Sequence, residues 1–140
     1  MKSNQYFISL VLFTCLLTAI AVPCSGQENE AVKTDIVIED AVICRDVVDR
    51  EPVGAGDVFS TDLTKLMCFT RVTGSKGNTE ILHNWYFGDK LVAGIPLHVG
   101  STNWRTYSSK KITPMDSGEW KVEILSQDET MLKRIYFIIE

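Results

Sequence analysis

Apolar and polar residues alternate in short runs along most of this chain, and each run ends in a turn signal. Glu80 to Phe87 shows it most cleanly. Ile81, His83, Trp85 and Phe87 fall on one face, and Leu82, Asn84 and Tyr86 on the other. A period of two is that of a strand with unlike faces. Leu66 to Thr73 repeats it, with Leu66, Cys68, Thr70 and Val72 against Met67, Phe69, Arg71 and Thr73. Asp35 to Cys44 is rich in Ile and Val, and its alternation breaks at Asp40-Ala41, where a bulge is predicted. Val47 to Asp62 carries Pro52, Gly54 and Gly56 and reads as a turn-rich connection, with Phe59 as a plug onto the core. Gly88-Asp89 predicts a two-residue hairpin into Lys90–Ile95, and Pro96 marks a break or an edge. Leu97–Val99, Trp104–Ser109, Trp120–Leu125 and Leu132–Ile139 complete the series. Outside the first residues no apolar period of 3.6 persists, so seven or eight short antiparallel strands in an all-β sandwich are predicted.

One corner narrows the type. Asp116-Ser117-Gly118-Glu119-Trp120-Lys121-Val122 looks like the turn entering the sixth strand of immunoglobulin-like domains, where an inward aromatic follows an Asp-x-Gly turn. Here Trp120 stands where tyrosine is usual and Val122 where a cysteine is usual. The antibody-type intersheet disulfide is therefore absent. The corner hydrogen bond would have to come from the indole N–H of Trp120.

The amino-terminal segment is of another kind. Lys2 is its single charge, and Phe7 to Val22 is almost wholly apolar. A basic start, a short greasy run and small residues predict a signal peptide over 1–26. A polar lead-in over 27–34 and one domain over 35–140 would follow. The run is short for a membrane span, which needs about 20 residues, so no stable span is expected in the mature chain. A lipid anchor at Cys24 and an uncut amino-terminal helix are the alternatives to release. Periplasm and medium are not distinguished.

Of four cysteines, Cys15 and Cys24 fall in the leader, leaving Cys44 and Cys68. An even pair in an exported domain predicts a disulfide, which would contribute about 3 kcal/mol by closing its loop. Beyond residue 26 the chain carries 13 Lys and Arg against 18 Asp and Glu, a net −5. That balance disfavours nucleic acid, whose phosphates demand cations.

Several blocks then carry a resemblance: ICRDVVDREPVGAG from Ile43, Phe59-Ser60, CFTRV from Cys68, HNWYFGDK from His83, NWRTYSSKKI from Asn103 and GEWKVEI from Gly118. Together, over about 40–140, they resemble the bacterial domain-of-unknown-function family numbered 2914. Tyr107 stands where that family's pattern has Trp. The resemblance implies an exported envelope β domain and transfers no catalytic residue.

Candidate chemistry is sparse. Trp104, Arg105, Tyr107 and Lys110 concentrate aromatics and cations in an acidic domain. With His83 and Trp85 they form the candidate ligand-binding set, since aromatics offer flat contact area and Arg a planar fork. The plainer alternative makes Trp104 core, pairs Arg105 with a local acid, and leaves the lysines guarding an edge. His83 and His98 lack partners at metal-ligand spacing, and Asp46, Asp49, Glu51 and Asp57 match no calcium loop, so no metal and no cofactor are expected. No nucleophile elbow, zinc helix or phosphate loop occurs. The expectation is a non-catalytic binding or protein-interaction module whose partner is a protein or an envelope polymer. A module for a saccharide or anionic polymer, using Trp85, Trp104, Arg105 and Tyr107, is the first alternative. A hydrolase with an unrecognised carboxylate pair is the second.

Overall fold

The computed structural model describes residues 35–140; the leader, the lead-in, Cys15 and Cys24 lie outside them. The described chain is almost entirely strand: β1 (Val37–Cys44), β2 (Asp46–Val48), β3 (Glu51–Val53), β4 (Val58–Phe59), β5 (Lys65–Thr73), β6 (Thr79–Phe87), β7 (Lys90–Val99), β8 (Asn103–Lys111), β9 (Gly118–Ser126) and β10 (Met131–Ile139). Seven of these have eight residues or more, in line with the seven or eight expected.

They make two principal sheets. A smaller one runs β1-β5-β8 and a larger one β4-β10-β9-β6-β7, with β2-β3 as a separate hairpin. All pairings are antiparallel except β4 with β10. One hydrophobic core joins the inner faces, taking Ile43, Leu66, Cys68 and Val72 from the smaller sheet and Ile81, Trp85, Val122, Ile124 and Phe137 from the larger. The alternation of β5 and β6 holds residue by residue, because each strand has one face in this core. The bulge in β1 falls between Ile38 and Asp40, one step before the predicted break.

The corner before β9 closes as expected. A 3-10 turn at Pro114–Asp116 is tied by Asp116 Oδ2, which accepts from Thr113 N at 2.7 Å and Thr113 Oγ1 at 2.8 Å. The Trp120 indole N–H then donates to the Asp116 carbonyl at 2.7 Å. Gly118 is needed here, since a Cβ would come within 2.9 Å of the Phe87 ring at a backbone φ of 141°. Phe87 itself lies against Trp120, with ring centroids 5.0 Å apart. Phe59 plugs the core as predicted, edge-on to Phe137 at 6.2 Å.

Two expectations need correction. The connection over 47–62 is no plain loop: β2 and β3 form a hairpin that lies on the outer face of the smaller sheet. Val47 packs there over Cys44, Met67 and Phe69, a second small core. Its turn uses Asp49 and Arg50, both at positive φ without glycine, so the usual hairpin signal is missing. The Cys44–Cys68 disulfide does not form either; both are buried free thiols. Register explains why. Cys68 sits opposite Ile43, while Cys44 sits opposite Met67. Paired residues share a sheet face and neighbours along a strand do not, so Cys68 points into the main core and Cys44 points outward under the hairpin. Both thiols are pushed up by desolvation, Cys68 to about 12.

Candidate interaction surface

The outer face of the larger sheet follows from register. Val58, Ile138 and Glu119 form one row across β4, β10 and β9. Two residues along β10, Tyr136 begins the next row, with Lys121 on β9 and Tyr86 on β6. Arg134, Glu123 and Asn84 form the third. Large apolar groups lie open in the first two rows: Tyr136 is 64% exposed, Val58 52% and Ile138 43%. Between them is a cleft of about 320 Å³ lined by Asp57, Val58, Glu119, Trp120, Tyr136, Phe137 and Ile138. On the far side of Tyr136 a shallower depression of about 210 Å³ is lined by Gly88, Asp89, Glu119, Trp120, Lys121 and Tyr136.

The charges on this face divide into two sets. Glu123, nearly buried, accepts from Arg134 Nε at 2.9 Å and Arg134 Nη2 at 2.8 Å, and lies 3.9 Å from Lys121 Nζ. Lys121 also meets Asp89 at 3.6 Å, and its ammonium sits 4.8 Å from the Tyr86 ring centre. The Arg134 guanidinium is held still further toward its charged form by Tyr136 and Glu123. These side chains therefore form a closed lattice. The two carboxylates at the cleft, Asp57 and Glu119, stand outside it; both are exposed and no ion pair joins either to a cation among the described residues.

The residues singled out in the sequence are dispersed. His83 and Trp85 are fully buried between the sheets. There the Trp85 indole N–H donates to Ser108 Oγ at 3.0 Å, and Ser108 Oγ lies 2.8 Å from His83 Nδ1. His83 Nε2 lies 3.0 Å from Thr70 Oγ1. Ser108 Oγ and Thr70 Oγ1 can each donate or accept, so both ring nitrogens are satisfied in either neutral tautomer. The ring is neutral, because desolvation pushes its pKa down to about 3. It braces the sheets and is closed to solvent.

Strand β8 splits by faces as its alternation requires. Trp104, half-buried, packs on the core margin with its ring edge-on to His98 at 5.8 Å. Lys110 is on the same inner face, with its ammonium 5.9 Å from the Trp120 ring centre and donating to the Lys111 carbonyl at 2.9 Å. Arg105 faces outward and pairs with Glu51 of the hairpin at 3.1 Å. Tyr107 is 49% exposed on that outer face, one strand across from buried Phe69. β8 is an edge strand. These six side chains do not converge on one groove, and Trp85 is unavailable to a saccharide. The acids of the 46–57 segment scatter too: Glu51 serves Arg105, and Asp57 lines the cleft. No group of three metal-ligating side chains occurs among the described residues.

Sequence reasoning missed Tyr136 and Glu119, and weighed Asp57 only as a loop acid. One signal was available: Ile135-Tyr136-Phe137-Ile138-Ile139 is apolar on both faces, whereas a half-buried strand should alternate.

A family model described as Protein of unknown function (DUF2914) matches residues 78–139. This is the family that the sequence blocks resemble, and the match runs from the start of β6 through β10. It takes in Tyr86, Glu119, Lys121 and Tyr136 but leaves out Asp57, Val58 and both cysteines. No curated protein matches the chain.

Proposed function

We propose that this chain is an exported, non-catalytic interaction module of a bacterial envelope, and that it meets its partner on the outer face of the larger sheet around Tyr136. The observation that carries this reading is the open tyrosine and its apolar cleft on a face with no covering element among the described residues. Tyr is favoured at interfaces because it offers rigid area with a polar tip. Export rests on the apolar leader and the family resemblance; the free thiols give it no support.

The side-chain chemistry favours binding over catalysis. Two groups suited to proton transfer or nucleophilic attack, His83 and Cys68, are enclosed and held neutral by desolvation. Asp57 and Glu119 are open to water, unlike an acid-base pair set apart by unlike environments.

The test is a photo-crosslinking amino acid placed at Tyr136, and separately at Tyr107, in the cells that make the protein. A discrete adduct from position 136 and none from 107 is expected. Adducts from 107 alone would move the contact surface to the other sheet and defeat the proposal.

A further inference from the structure

The cleft beside Tyr136 has a chemistry more specific than an apolar patch. Its exposed walls are the side chains of Tyr136, Ile138 and Val58, and the strand positions of buried Trp120 and Phe137 lie between them. Its lining also holds two carboxylates, Asp57 and Glu119, that the neighbouring charge lattice leaves unused. Lys121, beside Tyr136 in the next row, is occupied by Asp89 and Glu123. The fitting occupant carries a long apolar stem and a cationic head. Arginine and lysine side chains have that form: their methylenes cover apolar surface and their charge reaches outward to a carboxylate. An aromatic wall adds attraction for the cation.

Backbone geometry indicates how such a side chain is presented. β4 pairs with β10 only at Ile138 and Ile139. Ile138 N–H donates across that edge to the Asp57 carbonyl at 2.8 Å, so Tyr136, two residues away, turns its own backbone N–H and C=O to the same side. No strand is hydrogen-bonded there among the described residues, although β1 passes close to β10. An extended segment can add to this edge and send a side chain into the cleft.

Resting on the docking reading above, we infer that the partner is an extended protein segment bearing arginine or lysine, bound at the β10 edge with its cationic side chain in the cleft between Asp57 and Glu119. The acidic balance of the domain works in the same direction.

The experiment is NMR titration of the protein, as purified from its own cells, with a blocked hexapeptide of alternating valine and arginine. The control replaces arginine by glutamine. Shifts centred on Val58, Glu119, Tyr136 and the Trp120 backbone amide are expected with the arginine peptide alone, weakening as salt rises past the screening range. The double variant Asp57→Asn/Glu119→Gln should weaken binding about tenfold, in keeping with loss of a complementary charge pair. Its unperturbed spectrum elsewhere would certify the fold, since both side chains are exposed. Equal binding of the glutamine peptide would overturn the cationic specificity and leave docking intact. Failure of both peptides, with the crosslink at Tyr136 present, would overturn this inference alone. Failure of the peptides and of the crosslink would overturn both.

Discussion

The two outer sheet faces are built from similar materials and end differently. On the smaller sheet Phe69 and Met67 face outward, yet both are buried, because β2 and β3 fold back over them. On the larger sheet Tyr136 and Ile138 also face outward, and they stay open. The charges follow the same division. Arg71 and Arg105 lie directly opposite each other, an unfavourable pair that Glu39 and Glu51 neutralise at 3.3 and 3.1 Å. On the larger face Arg134 and Lys121 are neutralised too, but Asp57 and Glu119 are left over. The first face has its large apolar side chains mostly covered and its facing arginines paired, with Tyr107 left half exposed. The second has apolar area and negative charge to offer. An outward-facing hydrophobe is thus no sign of function until its cover is known.

The largest expected effects break this comparison most directly. Phe69→Ala should cost about 3–5 kcal/mol, as for a buried aromatic, although its side chain faces away from the main core. Tyr136→Ala should stay within about 1 kcal/mol, as for an exposed position. Urea unfolding of both variants measures the contrast; equal losses would mean that the larger face is as structural as the smaller.

The His83 brace gives the next effect. Its folded pKa is about 3 against an ordinary value near 6.5, so the unfolded chain binds the extra proton between those values. Stability contributed by the neutral ring is complete above pH 6.5 and falls as pH drops toward 3. The slope is roughly 1.4 kcal/mol per pH unit. His83→Gln should flatten that slope in a pH series of denaturant midpoints, whatever it does to stability at pH 7. An unchanged slope would place the acid sensitivity elsewhere.

The smallest effect concerns the hairpin tie. Arg105→Ala should cost under about 1 kcal/mol, because the pair with Glu51 is partly exposed. It should leave binding at Tyr136 unaltered. A loss of binding equal to that of Tyr136→Ala would join the two faces into one site.

The candidate site was less legible than the fold. The aromatic and basic block at Trp104–Lys111 stood out by composition, but strand geometry sends alternate members to opposite faces, and Trp104, Arg105 and Lys110 each find a local partner. Tyr136 sat inside an apolar run that looked like core. The cleft joins Asp57 to Glu119, residues 62 apart in the chain, and no spacing rule reaches that far. The disulfide failed for a related reason: composition and compartment favoured it, and a one-residue register difference put the thiols on opposite sides of a strand.

Local alternation by itself determined the long strands and that Ile81, His83 and Trp85 share a face, and a short motif marked the corner at Trp120, because side-chain direction along a strand depends only on neighbouring residues. Tertiary structure alone decided which outward residues are covered, which charges find partners and where the cleft opens. Those depend on where β2–β3 and β4 come to rest, and that is set by packing between segments far apart in the chain.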